Sequence, residues 1–346
     1  LVYNRILKPL LFRIDPENAH HITTRLFRMA LANFILGPII KKRFALQDKS
    51  LERELWGIRF PNPVGLAAGF DKDGKYFETM SALGFGFIEI GTVTPLAQSG
   101  NPKKRLFRLP KDKALINRMG FNNEGVDTMV DRLKRRHDQT LILGGNIGKN
   151  KVTPNDKAIY DYEACFNKLY EHVDYFVINV SSPNTPRLRE LQEKEPLTQL
   201  IGHILSLRDR KEQFKPVLLK IAPDMPESQL LEILEIIKSE GLDGIIASNT
   251  TIDRNNLNTE ASQVEKIGSG GLSGAPLREK SRNMVRRIRQ HMPDLPIIGV
   301  GGITTPEDAL AMLEAGADLI QVYSGLVYAG PELVKNIKQS ILNTHK

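Results

Sequence analysis

One cysteine, Cys165, and one tryptophan occur in 346 residues. A single thiol excludes an internal disulfide and suits a reducing compartment. Set among Tyr162, Phe166 and Leu169 in a helical pattern, it reads as a small buried hydrophobe rather than a nucleophile. Spanning a bilayer takes about 20 apolar residues, and no run reaches that: the longest, Met29 to Ile40, is interrupted by Asn33 and Pro38. The seven histidines have no cysteine or acidic partner at ligand spacing, so no metal site is expected. A G-x-S-x-G nucleophile motif, a 20–50-residue repeat and a low-complexity tract are all missing. The sequence therefore excludes a disulfide scaffold, a solenoid and that class of serine hydrolase. With 41% apolar and 25% charged residues, it has ordinary globular usage and material for a substantial core.

The formal net charge of +8 suggests nucleic acid until it is located. Residues 1–46 carry eight basic residues (Arg5, Lys8, Arg13, Arg25, Arg28, Lys41, Lys42 and Arg43) against Asp15 and Glu17, which leaves only +2 for the rest. A nucleic-acid-binding protein places a basic face on its main fold. Here the charge lies on a terminal, apolar-rich segment, which points to an anionic membrane surface and away from nucleic acid. Charge interspersed among the early apolar residues, with no small-residue cleavage site, does not resemble a secretory signal. The chain opens on Leu1 rather than Met, which leaves room for sequence upstream. Two regions are expected: an amphipathic helical segment over 1–46 and a catalytic domain over 47–346.

From Asn62 onward short β-rich apolar runs alternate with helical patterns. The spacing predicts strands at 64–68, 87–92, 142–147, 175–180, 217–221, 244–248, 297–300 and 319–323. Helices are predicted at 75–83, 123–136, 156–171, 197–212, 227–240, 277–291, 306–314 and 331–342. Eight strand–helix pairs predict an α/β fold closed as a (β/α)8 TIM barrel rather than an open sheet. Residues 93–121 and 249–276 interrupt the alternation. RLFRL at 105–109 and ALIN at 114–117 have the pattern of a small hairpin. Loops of this length inside a compact domain are usually functional.

Barrel active sites form at the C-terminal ends of the strands, and all eight predicted ends are polar or glycine-rich: Lys72, Thr92, Asn146, Asn179, Lys220, Ser248 with Asn249, Gly301 with Gly302, and Tyr323 with Ser324. One such residue is ordinarily a satisfied structural group; eight together describe a site. GVGGI (299–303) and YSG (323–325) stand where barrels commonly bind phosphate. The loop NVSSPNTP (179–186) alone reads as a Ser/Asn/Pro turn. Beside AAGFDKDG (67–74) and NRMGFNN (117–123) it reads instead as the wall of a polar site. Asn117, Asn179, Asn184 and Asn249 suit a flat ligand rich in amide and carboxylate groups, and Lys72 supplies positive charge.

These strings resemble the dihydroorotate dehydrogenase family, specifically its quinone-reducing class 2. The likeness runs from DPENAH (15–20) through EIGTVTP (89–95), NIGKN (146–150), KIAPD (220–224), SNTT (248–251), GGLSG (270–274), IIGVGGI (297–303) and QVYSG (321–325). The resemblance implies FMN as cofactor, with Ala68, Gly69, Phe70, Asp71 and Lys72, then Thr92, Asn146, Asn179, Lys220 and Ser248, along the ring and ribityl chain. Gly274, Gly302, Tyr323 and Ser324 would hold its phosphate. Dihydroorotate or orotate would meet Lys72, Asn117, Arg118, Met119, Gly120 and Phe121 on one side, and Asn179, Asn184, Asn249 and Thr250 on the other. The catalytic group would be Ser182, with Thr185 as its relay beside Phe121; class 1 members carry cysteine in place of the serine. The N-terminal helices would admit a membrane quinone near His20 and Arg108. A monomeric, peripheral protein on the cytoplasmic face of a bacterial inner membrane is implied, with a mitochondrial site as the alternative. Phe70 and Ser248 stand where leucine and threonine are common. Two rival readings stay open on the residues alone: a barrel aldolase using Lys220 as a Schiff base, and a non-catalytic membrane-surface scaffold.

Overall fold

Strands covered by helices outside and by packed side chains inside need no polar face, and the eight apolar runs behave accordingly. A computed structural model describes residues 3–344. In chain order, β1 (Arg53–Leu55) and β2 (Ile58–Phe60) form an antiparallel ribbon, and β3 (Val64–Leu66) and β4 (Phe87–Val93) begin the barrel. β5 (Leu106–Leu109) and β6 (Ala114–Asn117) are the expected hairpin. β7 (Ile142–Ile147), β8 (Tyr175–Asn179), β9 (Val217–Ile221) and β10 (Gly244–Ala247) continue the barrel. β11 (Gly271–Gly274) joins the hairpin through β6, while β12 (Ile297–Val300) and β13 (Leu319–Val322) complete the circuit back to β3. The barrel is closed and its neighbouring strands are parallel. Every residue of its eight strands is buried.

Four strands end a residue or two before the predicted boundary, at Leu66, Asn179, Ala247 and Val322. The helices Glu227–Glu240 and Pro306–Glu314 have the predicted limits. In the second, Thr305 and Asp308 form a reciprocal capping box, with Pro306 in the first turn. The predicted helix 123–136 is shorter, Val126–Leu133: Gly125, at φ 85°, and the turn before it belong to the mouth. The last predicted helix is Glu332–Thr344, close to its expected limits, and a short helix that was not predicted, Ser324–Ala329, precedes it, parted from it at Gly330, which is at φ 87°. A further helix, Ala261–Ile267, fills part of the second excursion.

The ribbon β1–β2, which the alternation did not predict, seals the N-terminal end of the barrel. Trp56 donates its indole N–H to the carbonyl of Asp243 at 2.7 Å. Phe60 lies edge-on to Phe87 at 5.3 Å, and Trp56 stacks on Tyr175 at 6.4 Å. Phe87 and Tyr175 find room because residues 65 and 144 are glycines. A Cβ at Gly65 would stand 2.3 Å from the Phe87 ring, and one at Gly144 would stand 2.2 Å from Tyr175.

At the other end sit the N-terminal helices α1 (Lys8–Leu11), α2 (Pro16–Ala32) and α3 (Leu36–Phe44). DPENAH has a local physical meaning: Asp15 caps α2 by accepting from the backbone N–H groups of Glu17 and Asn18, and Pro16 opens the first turn. The segment is tied to the barrel's last helices. Tyr3 donates to the carbonyl of Val327, Lys8 to that of Tyr328, and Arg43 pairs with Glu332. Only Glu17, Ala19 and Thr24 of α2 are buried, whereas Leu26, Met29 and Phe34 are 59%, 60% and 83% exposed. Among the described residues no helix is long and apolar enough to cross a membrane.

Candidate active site

The barrel interior ends upward in a charged and amide-rich layer. Glu89, in the middle of β4, is wholly buried. It accepts from Asn146 Nδ2 at 2.7 Å and Gln321 Nε2 at 2.5 Å, with Lys220 Nζ at 3.5 Å. A buried carboxylate needs such donors and a countercharge, so three strands supply them. Thr92 donates to Asn146 Oδ1 at 2.5 Å, and Asn179 Nδ2 donates to Thr92 Oγ1 at 2.8 Å. Asn249 Nδ2 reaches Ser181 Oγ at 2.9 Å, and Ser181 in turn donates to Asn179 Oδ1 at 3.1 Å. Each amide is thereby held by a polar partner from another strand or strand end of the barrel.

Above this layer lies a cavity enclosing about 1070 Å³ of empty space, the part open to solvent included. Most residues expected from the sequence line it: Ala68, Gly69, Lys72 and Thr92; Asn117, Met119, Gly120 and Phe121; Asn179, Ser182, Asn184 and Lys220; Ser248, Asn249 and Thr250; Gly274, Gly302, Tyr323 and Ser324. Ser182 is buried, and its Oγ accepts from the backbone N–H of Asn184 at 3.2 Å. The Asn184 side chain donates to Asn117 Oδ1 at 2.9 Å, joining the serine loop to β6. Thr185 Oγ1 is enclosed and has no hydrogen-bond partner. Phe121 adopts φ 52°, held there by Gln98 and Asn123, whose amides donate to its carbonyl at 3.0 and 2.7 Å.

At the opposite side of the cavity two glycines are required by the space. A Cβ on Gly302 would lie 2.4 Å from the Cα of Arg278, and one on Gly274 would lie 2.3 Å from the carbonyl oxygen of Lys113. Both positions also have positive φ. Ser248 Oγ lies 3.0 Å from Ser281 Oγ, so its hydroxyl is braced from the outer helix.

Lys72 stands where the cavity meets α2. Burial pushes its ammonium down to about 8, opposed chiefly by the carboxylate of Glu17 and reinforced by Arg105. His20, on α2, packs edge-on to Phe70 at 4.7 Å, and Phe70 packs on Tyr323 at 5.6 Å. This aromatic series runs from the helical segment to the cavity wall. Burial, with the charge of Lys72 second, pushes the His20 ring down to about 3, so it is neutral at physiological pH. Arg108 lies over the Phe12 ring at 4.7 Å and donates to the carbonyl of Ile14 at 2.7 Å. Its Nε is enclosed without a partner. Neither His20 nor Arg108 lines the mouth cavity: His20 is on the inner side of α2 against Phe70, and Arg108 lies against Phe12 and Ile14 of the N-terminal segment.

Some expected residues serve differently. The carboxylate of Asp71 accepts from the backbone N–H groups of Lys75 and Tyr76, fixing the turn after β3 rather than facing a ligand. The Arg118 guanidinium turns away from the cavity to the carbonyls of Ile267 and Ser269 and stacks on Phe107. Asn146 sits in the layer below the cavity. The sequence reading passed over Glu89, Gln321 and Ser181. Glu89 lay inside EIGTVTP, where an acid between isoleucines was the available signal. Arg189 was missed as well: it donates to the carbonyls of Ser181 and Thr250, both at 3.0 Å, and pairs with Asp224 at 3.1 Å. It thereby ties two mouth loops together.

The dihydroorotate dehydrogenase family model matches residues 50–344. A protein of Christiangramia forsetii named dihydroorotate dehydrogenase (quinone) is 51% identical, over 99% of each chain. One of the same name from Chromobacterium violaceum is 46% identical, over 95% of this chain and 94% of its own. Two crystal structures of DHODH from Eimeria tenella have the same architecture. The ligand-free form matches with a TM-score of 0.86 and 37% identity, over 95% of this chain and 94% of that one. The complex with ferulenol gives 0.84 and 35%, over 95% and 91%.

Proposed function

The chain belongs to the dihydroorotate dehydrogenase family, and from that premise we propose how its residues divide the work. It is a dihydroorotate:quinone oxidoreductase that converts dihydroorotate to orotate in pyrimidine biosynthesis. The aldolase and scaffold readings are thereby set aside.

The family identity brings a flavin, and FMN is our finer reading. The residues present fit it. Gly274 and Gly302 line the cavity with bare backbone, since Lys113 and Arg278 behind them leave no space for a Cβ, and the buried Lys220 stands at the cavity wall. Gly274, Gly302, Tyr323 and Ser324 would hold the phosphate; Ala68 to Gly69, Thr92, Asn179, Lys220 and Ser248 would hold the rest. What the flavin supplies when bound is a hydride acceptor for dihydroorotate and a donor of electrons to quinone.

The protein's share is placement and proton handling. Lys72 and the asparagines 117, 184 and 249, with Thr250, hold the substrate's carboxylate and ring amides. Ser182 takes the C5 proton. A serine hydroxyl is a weak base unaided, so the proton needs an onward path, and Thr185, whose hydroxyl is enclosed and uncommitted, is the relay beside Phe121. The observation that carries this reading is the buried Ser182 hydroxyl on the wall facing the cavity. Ser182→Ala should retain flavin and orotate affinity while anaerobic flavin reduction by dihydroorotate slows by about 100-fold or more at neutral pH. Near-normal reduction in that variant would rule the serine out.

As a quinone reductase of this family, the protein associates with membrane. The finer reading is that the apolar face of α2 and α3, with its basic residues, lies on the cytoplasmic leaflet of a bacterial inner membrane, and that His20 and Arg108 flank the quinone's path. A monomer, without nucleic acid, is sufficient for this scheme. Replacing Leu26, Met29 and Phe34 by serine should abolish co-sedimentation with anionic vesicles and leave flavin reduction intact. Unchanged vesicle binding would place the membrane contact elsewhere.

A further inference from the structure

Glu17 belongs to α2, outside the barrel, yet it is buried against it. Both of its carboxylate oxygens meet Arg105, at 3.1 and 2.7 Å. The two side chains are only 10% and 8% exposed, so neither charge has much water to fall back on. Arg105 does more than neutralise. Its Nη1 donates to the carbonyls of Ser99 at 2.5 Å and Asn101 at 2.9 Å, fixing the turn between them. That turn is tight: Gly100 has φ 75°, and a Cβ there would lie 2.3 Å from the carbonyl oxygen of Met119. Asn101 then donates through Nδ2 to the carbonyls of Arg118 at 3.0 Å and Asn184 at 3.2 Å. The backbone N–H of Asn184 is the donor to Ser182 Oγ. A continuous series of polar contacts therefore runs from the membrane-side helix to the serine.

We propose that Glu17 is a positioning residue for the oxidation of dihydroorotate: through Arg105 and Asn101 it holds the serine loop in register. The proposal rests on the reading of Ser182 as proton acceptor. The helix that borders the quinone path thus also sets the geometry of the other half-reaction. Misplacement of a reacting group by about 1 Å can reduce rate by about 100-fold, so small slack in this series is enough to matter. The same residue acts on Lys72. The charged or titratable groups about that ammonium are Glu17, His20 and His21 on α2, Arg105, Asp71 and Asp73. Removing the Glu17 charge leaves Arg105 opposed to the ammonium, which then loses its proton at lower pH.

The test uses the full-length, flavin-loaded protein and Glu17→Gln, with amide hydrogen exchange read over residues 181–187. Exchange there should rise by about threefold or more. The rate of flavin reduction should fall about tenfold with orotate affinity near pH ~6.5 within about twofold, and the alkaline limb of orotate affinity should move to lower pH. Glu17→Asp should recover much of the loss. Should Glu17→Gln not fold, Asn101→Ala, which cuts the last link and leaves the ion pair, should give the same loop exchange and rate loss. Exchange that rises only within α2, with 181–187 and the pH limb unchanged, would reduce Glu17 to a docking contact and overturn the proposal. Loop exchange reports the coupling whatever Ser182→Ala does, so failure of the serine assignment and failure of this one are distinguishable.

Discussion

The two ends of the barrel solve the same closure problem with opposite chemistry. At the N-terminal end Trp56, Phe60, Phe87 and Tyr175 fill the opening with rings in edge and stacked contact. At the C-terminal end Glu89, Asn146, Thr92 and Asn179 hydrogen-bond across strands and leave a cavity above them. Rings pack without direction and tolerate no void; amides hold direction and can tolerate one. The difference teaches where stability and activity should separate. A change at the ring-filled end should alter folding with little effect on chemistry, and a change at the mouth should do the reverse.

The most severe test of that separation is Phe60→Ala. Phe60 is fully buried, and its loss should cost about 3–5 kcal/mol through lost burial and the void left behind. Denaturant unfolding should read that loss, while turnover per folded molecule stays at the wild-type level. A matching loss of turnover in the folded fraction would show the two ends to be coupled.

Lys72→Ala should weaken orotate binding by about tenfold, about 1.4 kcal/mol, with the unfolding midpoint little changed. The pH dependence sharpens this. Burial holds the ammonium down to about 8, so the cation is present below that pH and lost above it. Orotate affinity of the wild type should fall as pH rises through the lysine's range, whereas the alanine variant should be flat there. A wild-type affinity independent of pH between 7 and about 9.5 would remove Lys72 from substrate binding.

The smallest expected effect is a control touching neither end. Thr305→Ala removes the cap of the Pro306–Glu314 helix and should cost about 1 kcal/mol without altering orotate affinity or either half-reaction. A change in either half-reaction would mean that the outer helices feed into the mouth.

Most of the barrel was legible because its strands are short apolar runs between periodic helices, a local pattern. The hairpin at 105–117 was legible for the same reason. The ribbon Arg53–Phe60 was not: with three residues in each strand and a two-residue turn between them, it is too short for a periodicity to show. The residues lining the mouth could be read from where polar groups ended the strands. Glu89 sits in mid-strand, and whether such a side chain points into a barrel or out of it depends on closure, which adjacent residues do not encode. Glu17 and Arg105 are 88 positions apart, so only the folded chain brings them together. Arg118 looked like a ligand by its neighbours, but its long side chain had backbone carbonyls within reach on the opposite side.

The glycines beneath Phe87 and Tyr175 have a consequence for how this sequence can drift. A methyl at position 65 or 144 has no free space to enter, because the ring above already occupies it. Substitution there is therefore conditional on history: a lineage must first replace the ring by a smaller side chain, and in the interval it carries a void. Each glycine and its ring form a locked pair, free to change together and nearly frozen singly. Position 65 should co-vary with 87, and position 144 with 175, more tightly than with their neighbours along the strand.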